Sequence, residues 1–336
     1  MKILGVEFAP LRIPLERRLQ TAAVFYYCTN FIFFGFSMLF LWIYLFFTKY
    51  YFISLLYLAW LIYDHKTCCQ GGRRSEWLRC WCVWKYFANY FPVKMIKTAD
   101  FDPNKNYILG YHPHGIMCYG AFSCFATEAT NFSEVFPGIT PRILTLEGQF
   151  WFPFHREHIM CTGACAATKE SIEWNLTREG KGNALILVVG GASEALDAHP
   201  GRASLVLKRR KGFVRLAIKH GASLVPVFGF GENDLFDQLD NPPGSSLRKI
   251  QDRLKAYLGF SLPIVHGRGI FQYNFGMLPY RKPINVIIGK PIDVERNPEP
   301  TEEEVSKLHQ HYIDSLTALF EEHKSKYSPN LKLDLC

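Results

Sequence analysis

Two histidines one residue apart, His112 and His114, lie in the run His112-Pro113-His114-Gly115, directly after the apolar stretch Tyr107-Ile108-Leu109-Gly110-Tyr111. Imidazole titrates near neutrality, so a ring held at such a point can take a proton from an alcohol while that oxygen attacks a carbonyl carbon. The apolar stretch reads as a buried strand, and in an open α/β sheet ligands gather at the carboxyl ends of strands. Pro113 biases His112 toward an extended backbone, and Gly115 permits close approach. Two rings are therefore expected to emerge where a substrate reaches them. The competing reading is a turn in which one or both rings merely hydrogen-bond. The chain contains no G-x-S-x-G elbow, which argues against an acyl-enzyme hydrolase.

A second candidate is Val188-Val189-Gly190-Gly191-Ala192-Ser193-Glu194, again a strand followed by glycines. Glu194 could orient or stabilise a charged imidazole, and the backbone at Gly190 and Gly191 could offer N–H groups to a developing oxyanion. A plain glycine turn with a glutamate opening a helix has the same appearance. The third candidate is electrostatic. No Asp or Glu occurs between His199 and Gly231, while Arg202, Lys208, Arg209, Arg210, Lys211, Arg215 and Lys219 all fall inside. Arg209-Arg210-Lys211 leads into a predicted helix, Gly212 to His220, whose first N–H groups could hold a phosphate beneath those cations, with Arg215 one turn on. A solvated face or a lipid-headgroup patch fits the same block.

These residues need elements to position them. Tyr107–Tyr111, Ala184–Val189, Ser223–Phe230 and Ile284–Ile288 read as strands alternating with helical patterns, which predicts an α/β domain with a largely parallel sheet. Thr301-Glu302-Glu303-Glu304 has the form of a capping box, and Val305, Leu308, Tyr312, Leu316 and Leu319 mark one face of the helix that follows, read here as structural. Trp77 to Tyr90 reads as an aromatic amphipathic helix suited either to the headgroup level of a membrane or to ordinary packing.

Ahead of this domain the chain is greasy. Ala22 to Phe47 holds 26 residues without a charged side chain or histidine, about 39 Å as a helix against a hydrocarbon core of roughly 30 Å. Tyr50 to Tyr63 adds 14 more, only about 21 Å. Arg12, Arg17 and Arg18 precede the pair, Lys66, Arg73, Arg74, Arg79 and Lys85 follow it, and Lys49 alone lies between. The positive-inside bias puts both flanks in the cytosol, so a hairpin of two helices or a re-entrant loop is expected. A cytosolic domain leaves the sequons Asn131-Phe132-Ser133 and Asn175-Leu176-Thr177 bare.

The net charge of +8, from 38 Lys and Arg against 30 Asp and Glu, favours anionic partners such as phosphorylated cofactors or lipid surfaces. Nucleic acid is disfavoured because no recognition module accompanies the charge. Ten cysteines lack the spacing of a disulfide scaffold or of zinc knuckles, so reduced thiols and no metal are expected.

At these motifs the chain resembles the type 2 diacylglycerol acyltransferases, and most of all their monoacylglycerol acyltransferase branch. Tyr90-Phe91-Pro92, His112-Pro113-His114-Gly115, Gly190-Gly191-Ala192 with Glu194, and Arg210-Lys211-Gly212-Phe213 continuing through Val225-Pro226 to Phe230-Gly231-Glu232 are similar to that family's motifs, as is the start Val6-Glu7-Phe8-Ala9-Pro10. The resemblance implies a glycerophosphate-acyltransferase-like α/β sheet with flanking helices behind an N-terminal membrane hairpin. Residues 1–21 and 64–336 would be cytosolic, with 22–63 embedded in the endoplasmic reticulum membrane. It implies transfer of an acyl group from acyl-CoA, a co-substrate rather than a bound cofactor, to monoacylglycerol or a related neutral lipid. Diacylglycerol, retinol or wax alcohols are the alternative acceptors, and a non-enzymatic coat of lipid stores is the rival of another class. Glycerophosphate acyltransferases carry an Asp five positions after their essential His; here those places hold Met117 and Tyr119. Glu194 is the candidate for the missing acid, and either His112 or His114 for the base.

Overall fold

The computed structural model describes residues 2, 3, 5–10, 12–178 and 180–336. Its centre is a seven-stranded sheet built from β1 (Lys94–Lys97), β2 (Tyr107–His112), β3 (Thr140–Thr145), β4 (Cys165–Ala166), β5 (Asn183–Val188), β6 (Ser223–Phe230) and β7 (Asn285–Ile288). The strand order is β1-β7-β6-β2-β5-β3-β4. All neighbours run parallel except β7 and β6, so the expected α/β class with a largely parallel sheet is what the chain adopts.

Strand β2 sits in the middle, with Tyr111 opposite Val188 of β5 and His112 opposite Phe228 of β6. Successive side chains of a strand point to opposite faces. Tyr107, Leu109 and Tyr111 thus join an aromatic cluster with Trp84, Phe87 and Tyr119, while Ile108 joins the opposite core with Phe213, Leu216 and Tyr312. That second core is supplied by α4 (Lys169–Thr177), α5 (Gly212–His220) and α7 (Glu302–Tyr327). Helix α7 begins at the anticipated capping box, with Thr301 and Glu304 bonded reciprocally, and buries Val305, Tyr312, Leu316 and Leu319.

The first helix, α1, runs from Leu15 to Phe46 with a π-helical stretch at Asn30–Phe34, and α2 covers Tyr51–Asp64. They fold back on each other: Trp42 Nε1–H donates to the Ser54 carbonyl at 3.2 Å, and Ser54 Oγ–H returns a bond to the Trp42 carbonyl at 3.1 Å. The greasy run does not begin its bare surface at Ala22. Ala23, Val24, Tyr27 and Cys28 are buried, because their spacing puts them on one stripe of α1 that packs against α3 (Cys82–Tyr90). From Asn30 onward the large apolar side chains face outward, among them Phe40, Tyr44, Phe47, Leu56 and Ile62.

The expected helix from Trp77 to Tyr90 is broken. Glu76–Arg79 forms one turn and α3 starts only at Cys82, because Trp81 takes an extended ψ of 137°. Trp84 is core, its Nε1–H donating to the Leu78 carbonyl at 2.6 Å, whereas Trp77 is exposed. Strands β1, β3 and β4 had no sequence signal. β3 carries Pro141 and Arg142, residue types that argue against a strand near the middle of a sheet; Arg142 is tolerated because its guanidinium donates to the Gly71 carbonyl.

Candidate active site

Three adjacent parallel strands end together. β2 ends on His112, β5 runs into Gly190-Gly191 and the short helix Ala192–Ala195 carrying Glu194, and β6 runs into Gly231-Glu232. The sheet thus brings His112, His114, Glu194 and the glycines together at one end, the place where an open α/β sheet receives ligands.

The two imidazoles are not equivalent. His114 is half-buried, and its Nδ1 lies 3.0 Å from the Gly115 carbonyl. A carbonyl only accepts, so Nδ1 carries the proton and Nε2 keeps the lone pair. His112 does not emerge as expected; it is 0% exposed. Its place on the central strand points it away from the Tyr111 side, under α7, where its Nε2 lies 3.0 Å from Tyr312 Oη. Tyr312 O–H also donates to the Gly110 carbonyl at 3.2 Å. The other ring nitrogen, Nδ1, is buried without a partner among the described residues. Burial pulls the His112 imidazole down to about 3, so the ring is neutral throughout the physiological range.

Glu194 takes a different part from the one anticipated. Its Oε2 accepts from the backbone N–H of His114 at 2.9 Å and its Oε1 from that of Val206 at 2.8 Å, so it holds the turn rather than either ring. Gly190 makes room for it: a Cβ there would stand 1.7 Å from Glu194 Cδ. Gly191 has φ +57°, ψ −151°, a backbone conformation open to glycine. Burial raises the Glu194 carboxyl to about 7, against the two N–H bonds and the pull of Arg210.

Glu232 stands at the end of the Phe230-Gly231-Glu232 run, with no sequence signal of its own for a site role. It is buried and accepts from Tyr119 N–H at 2.6 Å, Gly120 N–H at 3.0 Å and Tyr111 O–H at 2.9 Å. It therefore ties the segment after the histidines to β2 and β6, and Gly115 is needed beside it because a Cβ would fall 2.6 Å from Glu232 Cγ. Its carboxyl also rises to about 7, through burial. The unfolded chain ionises this group near 4.5, so the folded state holds the proton more tightly. Its contribution to stability is complete below pH 4.5 and is lost as pH climbs through 7. Subtracting the stability of the parent from that of Glu232→Gln should give a curve that rises between pH 4.5 and 7; thermal melts across that range measure it, and a flat difference would contradict the assignment.

The basic block divides. Arg209 and Arg210 are exposed, Lys211 Nζ donates to Ser306 Oγ at 2.9 Å, and Arg215 pairs with Glu302 at 2.5 Å. The N-terminal end of α7 has therefore taken up two of the four cations proposed for phosphate. On the other side of the sheet, Tyr27 O–H of α1 donates to the Met117 carbonyl at 3.2 Å, and Cys28 Sγ lies 3.3 Å from Tyr119 Oη. The loop after the histidines is thereby held by the helix that opens the apolar hairpin. Two surface grooves, of about 620 Å³ along Lys208, Ile313 and Leu335 and about 420 Å³ along Arg79, Trp81 and Glu128, do not touch either histidine.

An α/β sheet that delivers a buried imidazole and two buried carboxyls to adjacent strand ends, beside a hairpin with an apolar outer surface, defines a candidate lipid-handling enzyme. The sequence matches the diacylglycerol acyltransferase family over residues 43–336. It is 52% identical over 322 residues to 2-acylglycerol O-acyltransferase 1 of Bos taurus and 48% identical to that of Homo sapiens, each match covering 96% of both chains. It is 48% identical over 320 residues to diacylglycerol O-acyltransferase 2 of Danio rerio, covering 95% of this chain and 89% of that one. Among solved structures, a 1-acyl-sn-glycerophosphate acyltransferase of Thermotoga maritima aligns with a TM-score of 0.43 at 13% identity, over 93% of this chain and 99% of that chain. The chain belongs to the diacylglycerol acyltransferase family.

Proposed function

We propose that this chain is an acyl-CoA-dependent acyltransferase that esterifies monoacylglycerol to diacylglycerol, with His112 as general base. One observation carries the base assignment: the neutral imidazole at the end of the central strand has a ring nitrogen, Nδ1, without a partner among the described residues, and the acceptor's entry at the strand ends has to open that buried atom. The acceptor hydroxyl gives its proton to that ring as its oxygen attacks the thioester carbonyl. Backbone N–H groups near Gly190 and Gly191 face the resulting oxyanion. The C–S bond then breaks, and coenzyme A leaves with the proton returned from the imidazolium. Glu194 holds the His114 turn against the Val206 segment while this happens. The exposed Arg209 and Arg210, more than Lys211 and Arg215, serve the phosphates of the donor.

The hairpin of α1 and α2 sits in the endoplasmic reticulum membrane with both flanks cytosolic, and no nucleic acid or metal takes part. Its aromatic and aliphatic side chains, among them Phe40, Tyr44, Leu56 and Ile62, stand bare along both helices, the kind of exposed apolar run that marks a membrane or protein contact. Further apolar side chains are exposed, Ile250, Leu254 and Tyr257 on α6 (Ser246–Leu258) and Phe271, Phe275 and Met277 after it. The stretch from Phe271 to Arg281 is tied to the start of the chain, since Arg281 donates to Gln20 and Thr21 of α1 and Ala9 N–H to the Phe271 carbonyl. Of the two sequons only Asn131 is exposed; Asn175 is buried and donates to the Ser171 carbonyl at 2.7 Å. Glycan occupancy at Asn131 alone therefore reports the side of the membrane.

The test offers purified protein labelled oleoyl-CoA with monoacylglycerol, diacylglycerol or a long-chain alcohol at equal concentration. Diacylglycerol should form fastest. Faster esterification of either of the other two acceptors would overturn the acceptor assignment, and no ester from any of them would overturn the enzymatic reading.

A further inference from the structure

We infer that Tyr312 sets the tautomer of His112, so that Nδ1, and not Nε2, is the nitrogen that takes the acceptor's proton. The inference rests on His112 as the base and adds which atom acts and what holds it.

The hydrogen bonds on both ring nitrogens fix the same tautomer. Tyr312 has one hydroxyl proton and two neighbours, the Gly110 carbonyl at 3.2 Å and His112 Nε2 at 3.0 Å. The carbonyl can only accept, so both contacts are hydrogen bonds in one arrangement alone: the phenol donates to Gly110 and accepts from Nε2–H. A neutral imidazole carries one N–H, and Nδ1 is buried with no partner among the described residues. A proton on Nδ1 would leave a buried donor unsatisfied, which carries the desolvation cost of that group. A proton on Nε2 is satisfied by Tyr312 and leaves Nδ1 as a bare lone pair.

The backbone is shaped for this contact. A Cβ on Gly110 would stand 2.0 Å from Tyr312 Oη, so no other residue at that position lets the phenol reach both partners. Tyr312 is itself fixed, its ring packed edge-on to Phe213 with centroids 5.1 Å apart on a helix started by its own capping box. Burial, with the nearby Glu194 carboxyl, pushes the phenol far up, so it stays protonated and available to Gly110. When Nδ1 takes the acceptor's proton, the charge on the imidazolium strengthens the Nε2–H bond to the phenol. The proton then passes from Nδ1 to the departing sulfur. Tyr312 touches no reacting atom; it is a positioning residue.

The test is Tyr312→Phe, assayed beside the parent and His112→Gln, together with the imidazole nitrogen resonances of 15N-histidine-labelled parent protein, with His112 assigned by its loss in His112→Gln. The parent should show His112 protonated at Nε2. Tyr312→Phe should lower kcat about 10- to 100-fold, as a general-base contribution of up to about 10⁴ is partly lost, with KM for both substrates unchanged and a mixture of His112 tautomers. A parent spectrum with the proton on Nδ1 overturns the inference without any variant, which decides the matter even if Tyr312→Phe does not fold. Parental kcat in a folded Tyr312→Phe overturns it while His112→Gln remains inactive and the base assignment stands. Parental activity in His112→Gln would instead remove the base assignment on which the inference rests.

Discussion

Replacing His112 with glutamine should lower the rate of acyl transfer about 10²- to 10⁴-fold, the range that a positioned general base contributes. Glutamine is chosen because its side-chain N–H₂ can still reach Tyr312 while it offers no basic nitrogen. The fully buried slot stays filled, and the loss then reports chemistry rather than a cavity. KM for acyl-CoA should change little, since the ring lies among strand ends and not among Arg209 and Arg210. His114→Gln should be milder, because the contact that fixes His114 in the turn, its backbone N–H to Glu194, is kept by the substitution, although its Nε2, free among the described residues, makes it the rival base. Steady-state rates of both variants, measured on protein shown to be folded, decide between them. The large fall at His114 with a near-parental His112→Gln would move the base to His114.

The second large effect is expected where the hairpin is fastened to the domain. Asp64 ends α2 and is buried; Arg156 donates to its Oδ2 at 2.8 Å and to its backbone carbonyl at 3.0 Å, and Arg73 and Thr67 complete the set. The two side chains of the Asp64–Arg156 pair are each only 2% exposed. Tyr57 adds a second fastening on the same helix, with its O–H donating to Glu157 at 2.7 Å and its oxygen accepting from Phe154 N–H at 2.7 Å. Removing one member of a buried ion pair leaves the other charge without compensation, which costs about 3–5 kcal/mol. Asp64→Ala takes the carboxylate from Arg156, which keeps Glu157 Oε1 at 2.9 Å, and from the part-exposed Arg73, so it should sit at the lower end of that range; Arg156→Met, which leaves Arg73 on the carboxylate, should cost less still. Denaturation of both in the same detergent measures the ranking. Asp64→Ala at parental stability would show that the network adds nothing to the fold.

The legible part of this chain is the part written in local signals. Tyr107–Tyr111, Ala184–Val189, Ser223–Phe230 and Ile284–Ile288 are short apolar runs bounded by turn residues, and each matches an observed strand to within a residue at either end. The box at Thr301 and Glu304 is a contact between residues three apart, so it could be read directly. β3 was illegible because Pro141 and Arg142 speak against a strand, and what permits Arg142 there is a carbonyl 71 positions away. The helix from Trp77 to Tyr90 has a helical pattern, but local periodicity does not show that Trp84 would turn its indole N–H back to Leu78.

The site divides in the same way. Residue types and spacing, with the family resemblance, marked His112, His114, Gly190, Gly191 and Glu194 as worth watching, because each follows an apolar run at what became the same edge of the sheet. Nothing along the chain links His112 to Tyr312, which lies 200 positions later; Tyr312 looked like one more apolar-face residue of a terminal helix. Nor could the sequence divide the histidines, since which of two rings goes under the helix is settled by the pleat of a central strand and by what packs on each face. The sequence by itself determined the chemistry that could be assembled and the greasy hairpin beside it. Only the tertiary structure decided that Glu194 grips a backbone N–H, that Glu232 closes the turn from below, and that His112 is buried with one nitrogen bonded and the other free, because burial and hydrogen-bond partners are properties of the packed whole.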